Sequence, residues 1–262
     1  MPVYRLTLAY DGSDFCGWQS QHNGISVQST LEAALGRLFV QPIACRAAGR
    51  TDAGVHAMGQ VVSFHCDRVL PDRALIHGTN HFLPETIVVL AAAQANDDFD
   101  ARFSASGKLY RYQIWNAPVR SPLHQRTHWH IPQPLNVAAM QQAAALLVGR
   151  HDFRAFRAAD CERRTTVRLM RRLDVRTPPQ PDSLPFAEPG PAMIHIEVAA
   201  TAFLKNMVRI VAGTLAAVGR GRMRVEDVAA LLESGDRTHA GPTAPAHGLT
   251  LVSVDYGPRT GV

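Results

Sequence analysis

Cysteine is scarce in this chain of 262 residues: Cys16, Cys45, Cys66 and Cys161 lie far apart, with no Cys-x-x-Cys pair among them. That spacing argues against a disulfide framework or a thiolate zinc site, and free buried thiols are expected. Long apolar runs are missing too, since none approaches the roughly 18 residues needed to cross a bilayer. The first strand-like segment begins at Val3, leaving no room for a signal peptide, so a cytoplasmic protein without a membrane segment is expected. His77 and His81 stand four apart on one helix face, but no third ligand accompanies them and no metal is assigned.

What is present is ordinary in bulk and uneven in charge. With 46% hydrophobic and 19% charged residues the chain has ample material for a packed core. A prior of about 150 residues per domain suggests two modules. The net charge of +5 points to a polyanionic partner, and the distribution sharpens this. Between Arg150 and Arg172 stand eight arginines (150, 154, 157, 163, 164, 168, 171, 172) against Asp152, Asp160 and Glu162. Arginine suits phosphate because its planar fork donates paired hydrogen bonds, and it also stacks on bases, so nucleic acid is the expected partner.

The chemistry concentrates in Gly49-Arg50-Thr51-Asp52-Ala53-Gly54-Val55-His56-Ala57. Two glycines bracket a short polar core, and the flanking runs Pro42 to Ala48 and Met58 to Phe64 read as strands, so this is a tight loop presenting a carboxylate at a sheet edge. Arg50 supplies a positive charge close by, and Asp52 is the candidate nucleophile or base. A plain turn-forming Asp with a surface ion pair is the competing reading of these residues alone. The nine consecutive positions resemble the signature loop of the tRNA pseudouridine synthase A family, whose Asp in this loop is catalytic.

Further blocks carry the same resemblance. Val3 to Tyr10 alternates in period two as a strand and runs into Asp11-Gly12, followed by Gly17-Trp18-Gln19, as in the family. Asp11, in an Asp-Gly turn pair, is given a structural role. Ser29-x-x-Glu32 fits a capping box for a helix through Val27, Leu31, Ala34, Leu35 and Leu38. Helices are expected over Pro71 to Leu83, Asn136 to Val148 and Val225 to Leu232; strands are expected over Gln60 to His65, Thr86 to Ala93, Arg168 to Arg176, Met193 to Ala199 and Leu249 to Val254. Ala101-Arg102-Phe103-Ser104-Ala105 followed by Tyr110-x-Tyr112 is similar to the family as well, and implies that Tyr110 contacts the target uracil while Tyr112 is structural. Phe203 to Val218 carries a helical stripe that places Lys205 and Arg209 on another face. Its Met207-Val208-Arg209 resembles the family motif whose Arg pairs with the catalytic carboxylate, which implies Arg209 as the partner of Asp52. Thr177 to Pro191 holds six of the 17 prolines and reads as an irregular loop.

The resemblance implies an isomerase that converts uridine to pseudouridine in the anticodon stem and loop of tRNA. It would work as a homodimer with tRNA bound across both subunits, and would need no cofactor and no metal. The expected fold is α+β: two similar α/β subdomains with antiparallel or mixed sheets flanking a central basic active-site cleft, residues 1–105 carrying the Asp52 loop and 106–262 carrying Tyr110 and Arg209. Reaching the base requires flipping the uridine out of its stack, and Arg50 is the candidate to brace the vacated space. Whether Asp52 attacks C1′ or removes a proton from C2′ stays open. Two other classes remain: a non-catalytic RNA-binding module, which the charge would explain equally well, and a hydrolase with an aspartyl nucleophile, which would need Mg²⁺ and a second carboxylate that no Asp-x-Asp pair at Asp52 provides.

Overall fold

The computed structural model describes residues 1–21, 24–161, 163–179 and 193–257. The chain divides into two compact units, Met1–Lys108 together with the chain from Thr250 on, and Leu109–Leu249. Among the described residues no helix is long and apolar enough to cross a membrane.

The first unit is a mostly antiparallel sheet backed by two helices. Its strands are β1 (Val3–Tyr10), β2 (Arg46–Ala47), β3 (His56–His65), β4 (Ile87–Ala95) and, last in the chain, β10 (Leu249–Asp255). β1 lies between β4 and β3, antiparallel to both. The other edge of β3 is shared, because β10 runs parallel to its start (Thr250↔His56, Leu251↔Ala57) and β2 pairs antiparallel near its end (Arg46↔Ser63, Ala47↔Val62). This non-local pairing groups the last strand with the first unit rather than with residues 106–262. Alternation along β1 turns Tyr4, Leu6 and Leu8 into the core. There Tyr4 stacks on Phe64 with centroids 5.4 Å apart, and Phe39 closes the cluster edge-on.

Helix α1 (Val27–Phe39) buries Val27, Leu31, Ala34, Leu35 and Phe39. Its cap differs from the expected one: Ser26 is the N-cap, and Ser26 and Ser29 exchange hydrogen bonds as the capping box. Glu32 instead accepts from Cys45 N at 2.8 Å, tying the helix to the segment before β2. Helix α2 (Asp72–Phe82) starts after Pro71 and ends at Leu83, before Pro84, as the two prolines require.

The second unit follows the same plan. Strands β5 (Gly107–Asn116), β9 (Met193–Ala200), β8 (Val167–Arg176) and β7 (Gly149–Asp152) lie in that order, with β6 (Trp129–Ile131) parallel to β5. Helix α3 (Val137–Leu146) packs against both α4 (Met207–Gly219) and α5 (Val225–Ser234). α4 is buried on nearly every side, as its almost wholly apolar sequence demands. It begins at Met207 rather than at Phe203 because Asn206 takes a left-handed conformation (φ 60°) that no helix continues through. Lys205 therefore lies outside the helix and pairs with Asp160 at 2.5 Å. From residue 180 to Pro191 the proline-rich loop falls outside the described residues. Both units mix helices with largely antiparallel sheets, so the expected α+β class holds.

Candidate active site

The Asp52 loop joins β2 to β3, and its backbone is held on both sides of the carboxylate. Ala48 N donates to Val61 O at 2.8 Å, Gln60 Nε2 to Gly49 O at 2.8 Å, and Trp18 N to Thr51 O at 3.0 Å. The Thr51 hydroxyl, buried, shares a 2.9 Å hydrogen bond with Tyr10 OH. Val55 N closes a turn onto Asp52 O at 3.1 Å, with Gly54 at φ 76° in the third position, which is the type II pattern that calls for glycine there. Asp52 is half-buried and Arg50 is exposed. The backbone that carries Asp52 is thus fixed by hydrogen bonds from its neighbours. Burial pushes the Tyr10 hydroxyl up to about 12, with the Thr51 and Gln60 hydrogen bonds opposing, so the clamp stays neutral at physiological pH.

The neighbouring loop from Asp11 to Gln19 serves the same turn. Gly17 has φ 107°, and a Cβ there would stand 2.7 Å from Thr51 O and 3.1 Å from Ala53 N, so only glycine lets the two backbones meet. Gly12 N donates to His56 Nδ1 at 3.1 Å. Asp11 accepts from Ser13 N at 2.9 Å and Ser13 Oγ at 2.6 Å, a turn-forming use of a carboxylate in keeping with its structural reading.

In the second unit Tyr110 and Arg209 gather near the N-terminal end of α4. Tyr110 is buried, with its ring edge-on to Phe203 at 5.1 Å between centroids and 85° between planes. Arg209, in the first helical turn, donates from Nε to Ala244 O at 2.8 Å and from Nη1 to Asn206 Oδ1 at 3.0 Å, while Ala244 N donates back to Arg209 O at 3.1 Å. A cation in the first turn opposes the helix dipole at a cost of about 0.3–1 kcal/mol, so helix stability is not what holds Arg209 there. Tyr112 is a core residue whose hydroxyl donates to Pro245 O at 2.9 Å. Burial raises its pKa, and the Arg209 charge partly offsets this. Of the four residues singled out from the sequence, Asp52 and Arg50 lie in the first unit and Tyr110 and Arg209 in the second.

A family model described as tRNA pseudouridine synthase matches residues 7–104 and 143–257. The chain belongs to this family. Curated relatives agree over nearly their whole length. The tRNA pseudouridine synthase A of Pelobacter propionicus is 49% identical over 256 residues, covering 98% of this chain and 100% of the relative. That of Syntrophotalea carbinolica is 48% identical over 259 residues (99% and 98%), and that of Myxococcus xanthus 49% identical over 256 residues (98% and 92%).

In this member of the tRNA pseudouridine synthase family, part of the arginine-rich segment is spent on contacts within the protein. Arg154 Nη2 donates to Glu233 O at 3.3 Å and Ser234 O at 3.2 Å, neutralising carbonyls at the end of α5. Arg172 joins Arg111 and Arg176 on the buried Glu197, at 3.0, 2.8 and 2.7 Å. These arginines serve the fold, whereas Arg150, Arg163 and Arg164 are exposed. The sequence reading gave no role to Thr51, whose hydroxyl meets Tyr10 OH beside Asp52, or to Asn206, whose Oδ1 accepts from Arg209. The first sits inside the signature loop and the second stands immediately before Met-Val-Arg, so each was visible as a polar neighbour of a candidate residue.

Proposed function

We propose that this protein isomerises uridine to pseudouridine in tRNA, with Asp52 as the catalytic carboxylate. The reaction breaks the bond between C1′ and N1, turns the detached uracil within its pocket and joins C1′ to C5; the proton on C5 leaves and N1 ends protonated, so the net composition is unchanged. Asp52 acts at the sugar, either by attack on C1′ or by taking a proton from C2′. Tyr110 lies against the uracil, Arg209 pairs with Asp52, and Arg50 braces the space left when the uridine flips out, a step costing a few kcal/mol. Water must be kept from the cleaved intermediate. The uridines are those on the 3′ side of the anticodon stem and loop, the enzyme works as a homodimer, and its tRNA substrate makes the cytoplasm its compartment.

One observation carries the reading: within a family of tRNA pseudouridine synthases, this Asp stands on a turn whose neighbours Thr51 and Gly49 are bonded to Tyr10, Trp18 and Gln60. Such anchoring is costly to build for a surface turn and useful for a reacting group. Release of tritium from tRNA labelled at C5 of uracil tests it. Wild type is expected to release tritium and Asp52→Asn to fall to background with an unchanged melting temperature. Equal release by the two proteins overturns the assignment.

A further inference from the structure

The turn Asp100–Ser104 in the first unit is locked in place around one exposed aromatic ring. Asp100 Oδ1 accepts from Arg102 N at 2.8 Å and Phe103 N at 2.9 Å; Ser104 N donates to Asp100 O at 2.9 Å, and Asp100 N donates to Ser104 Oγ at 3.1 Å. Beneath it, the fully buried Ala101 donates from N to Ser63 Oγ at 3.0 Å and accepts from Tyr256 OH at 2.7 Å. So many bonds would ordinarily serve to bury a side chain. Phe103 is instead 64% exposed.

Its surroundings are cationic. Arg46 pairs with Asp100 at 2.6 Å while remaining 61% exposed, and the Arg46 and Arg102 guanidinium carbons lie 5.9 and 5.4 Å from the Phe103 centroid. Such exposed contacts are weak, about 0.5–1 kcal/mol, and at these distances yield readily to a flat ligand. The patch also borders the catalytic turn. Arg46 opens β2, which leads into Gly49 and Asp52, and the Lys108 stem lies so close to Gly49 that a Cβ there would meet its Cε at 2.9 Å. Burial first, and then the Arg102 charge, hold the Lys108 ammonium below the ordinary lysine range.

We propose that Phe103 is a stacking platform for an unstacked base of the tRNA, next to the catalytic turn, with Arg46 and Arg102 holding the flanking phosphates. This rests on the tRNA reading above. An aromatic face with two guanidiniums beside it is the chemistry of single-stranded nucleic-acid binding: the ring takes any base, the cations follow the backbone, and a rigid turn spares the ordering cost. Phe103 is thus a positioning residue that fixes which part of the strand lies over Asp52.

Stacking is worth about 1–3 kcal/mol per base, or about 5- to 150-fold in affinity. Direct binding of an unmodified tRNA transcript is measured for wild type, Phe103→Ala, Phe103→Leu and Phe103→Tyr, alongside steady-state kinetics. Phe103→Ala and Phe103→Leu are expected to weaken binding about 10-fold or more and to raise KM more than they lower kcat, whereas Phe103→Tyr, which keeps the π face, stays within about 2-fold of wild type. Affinity unchanged in Phe103→Ala overturns the proposal, as does rescue by Phe103→Leu, which would mean simple apolar packing. A change in sedimentation of Phe103→Ala without tRNA also overturns it, by placing the ring in a protein interface. Because affinity is read without turnover, failure here is separable from failure of the Asp52 assignment, for which Asp52→Asn would lose tritium release while still binding tRNA.

Discussion

Glu197 and Asp52 are both carboxylates, and they differ in what holds them: at Glu197 it is guanidiniums on the side chain itself, at Asp52 it is hydrogen bonds to the surrounding loop. Glu197 sits in the second unit's sheet with its side chain 9% exposed, and three guanidiniums use both of its oxygens. Burial alone would raise its pKa, but Arg111, Arg176 and Arg172 outweigh that and hold it below the usual carboxylate range. Around Asp52, hydrogen bonds hold the loop: Thr51 and Gly49 are anchored by Tyr10, Trp18 and Gln60, and the turn closes through Asp52 O. The three arginines on Glu197 serve the sheet, so arginine near a carboxylate is by itself no mark of a reactive site.

The sharpest way to break the comparison is to neutralise each carboxylate. Asp52→Asn should cost at least about 1000-fold in tritium release with little change in melting temperature. Gly17→Ala comes next: its Cβ drives into Thr51 O and its φ of 107° is strained for alanine, so the turn carrying Asp52 must shift. A displacement of about 1 Å near the reacting atoms costs on the order of 100-fold, and a kcat loss of about 10- to 100-fold is expected in a protein that still folds. Wild-type kcat in Gly17→Ala would mean that the fixed backbone is not what matters. Glu197→Gln should invert the pattern. Three guanidiniums lose their counter-charge, and because Arg172 and Arg176 are about half exposed, solvent screening limits the loss to about 2–3 kcal/mol, or roughly 5–10 °C in thermal melting, with kcat preserved.

Much of this was legible in the chain itself. The period-two pattern of Val3 to Tyr10 matched β1, and the nine-residue run through Asp52 identified the turn, because local pattern and contiguous motif are what a single sequence displays. What stayed hidden was set by tertiary contacts. The apolar stripe begun at Phe203 reads as helix, yet Asn206 turns left-handed so that its side chain can hold Arg209, and Phe203 is left to meet Tyr110. The parallel pairing of Thr250 and Leu251 with β3 has no local signature, so the last strand reads as part of the second half. Counting arginines overstated the positive charge available to a ligand, since Arg154 and Arg172 are taken up by α5 carbonyls and by Glu197.

The smallest effect extends the comparison to pH, because the second unit carries a group of histidines around the buried His128. His128 is buried and bonded to Gln113 and to Thr127, with His124 edge-on at 4.7 Å and His195 at 6.5 Å. Burial first, and then the charges of His124, His195 and His247, push its pKa down to about 4; His195 is also held low, by burial and then Arg111. The folded protein thus binds fewer protons than the unfolded chain, whose histidines titrate near 6.5, so stability is complete above about pH 6.5 and declines as pH falls toward 4. Glu197 has the opposite origin and a lower window: its folded pKa is depressed, so its contribution is lost only as pH falls below the ordinary carboxylate range. Thermal melts at pH 7.5 and 5.0 should therefore separate the two, with wild type losing about 1–2 kcal/mol at the lower pH and His128→Gln, which keeps a hydrogen-bonding side chain but cannot take up the proton, losing distinctly less. An equal loss in both proteins would assign the acid sensitivity to groups outside this cluster.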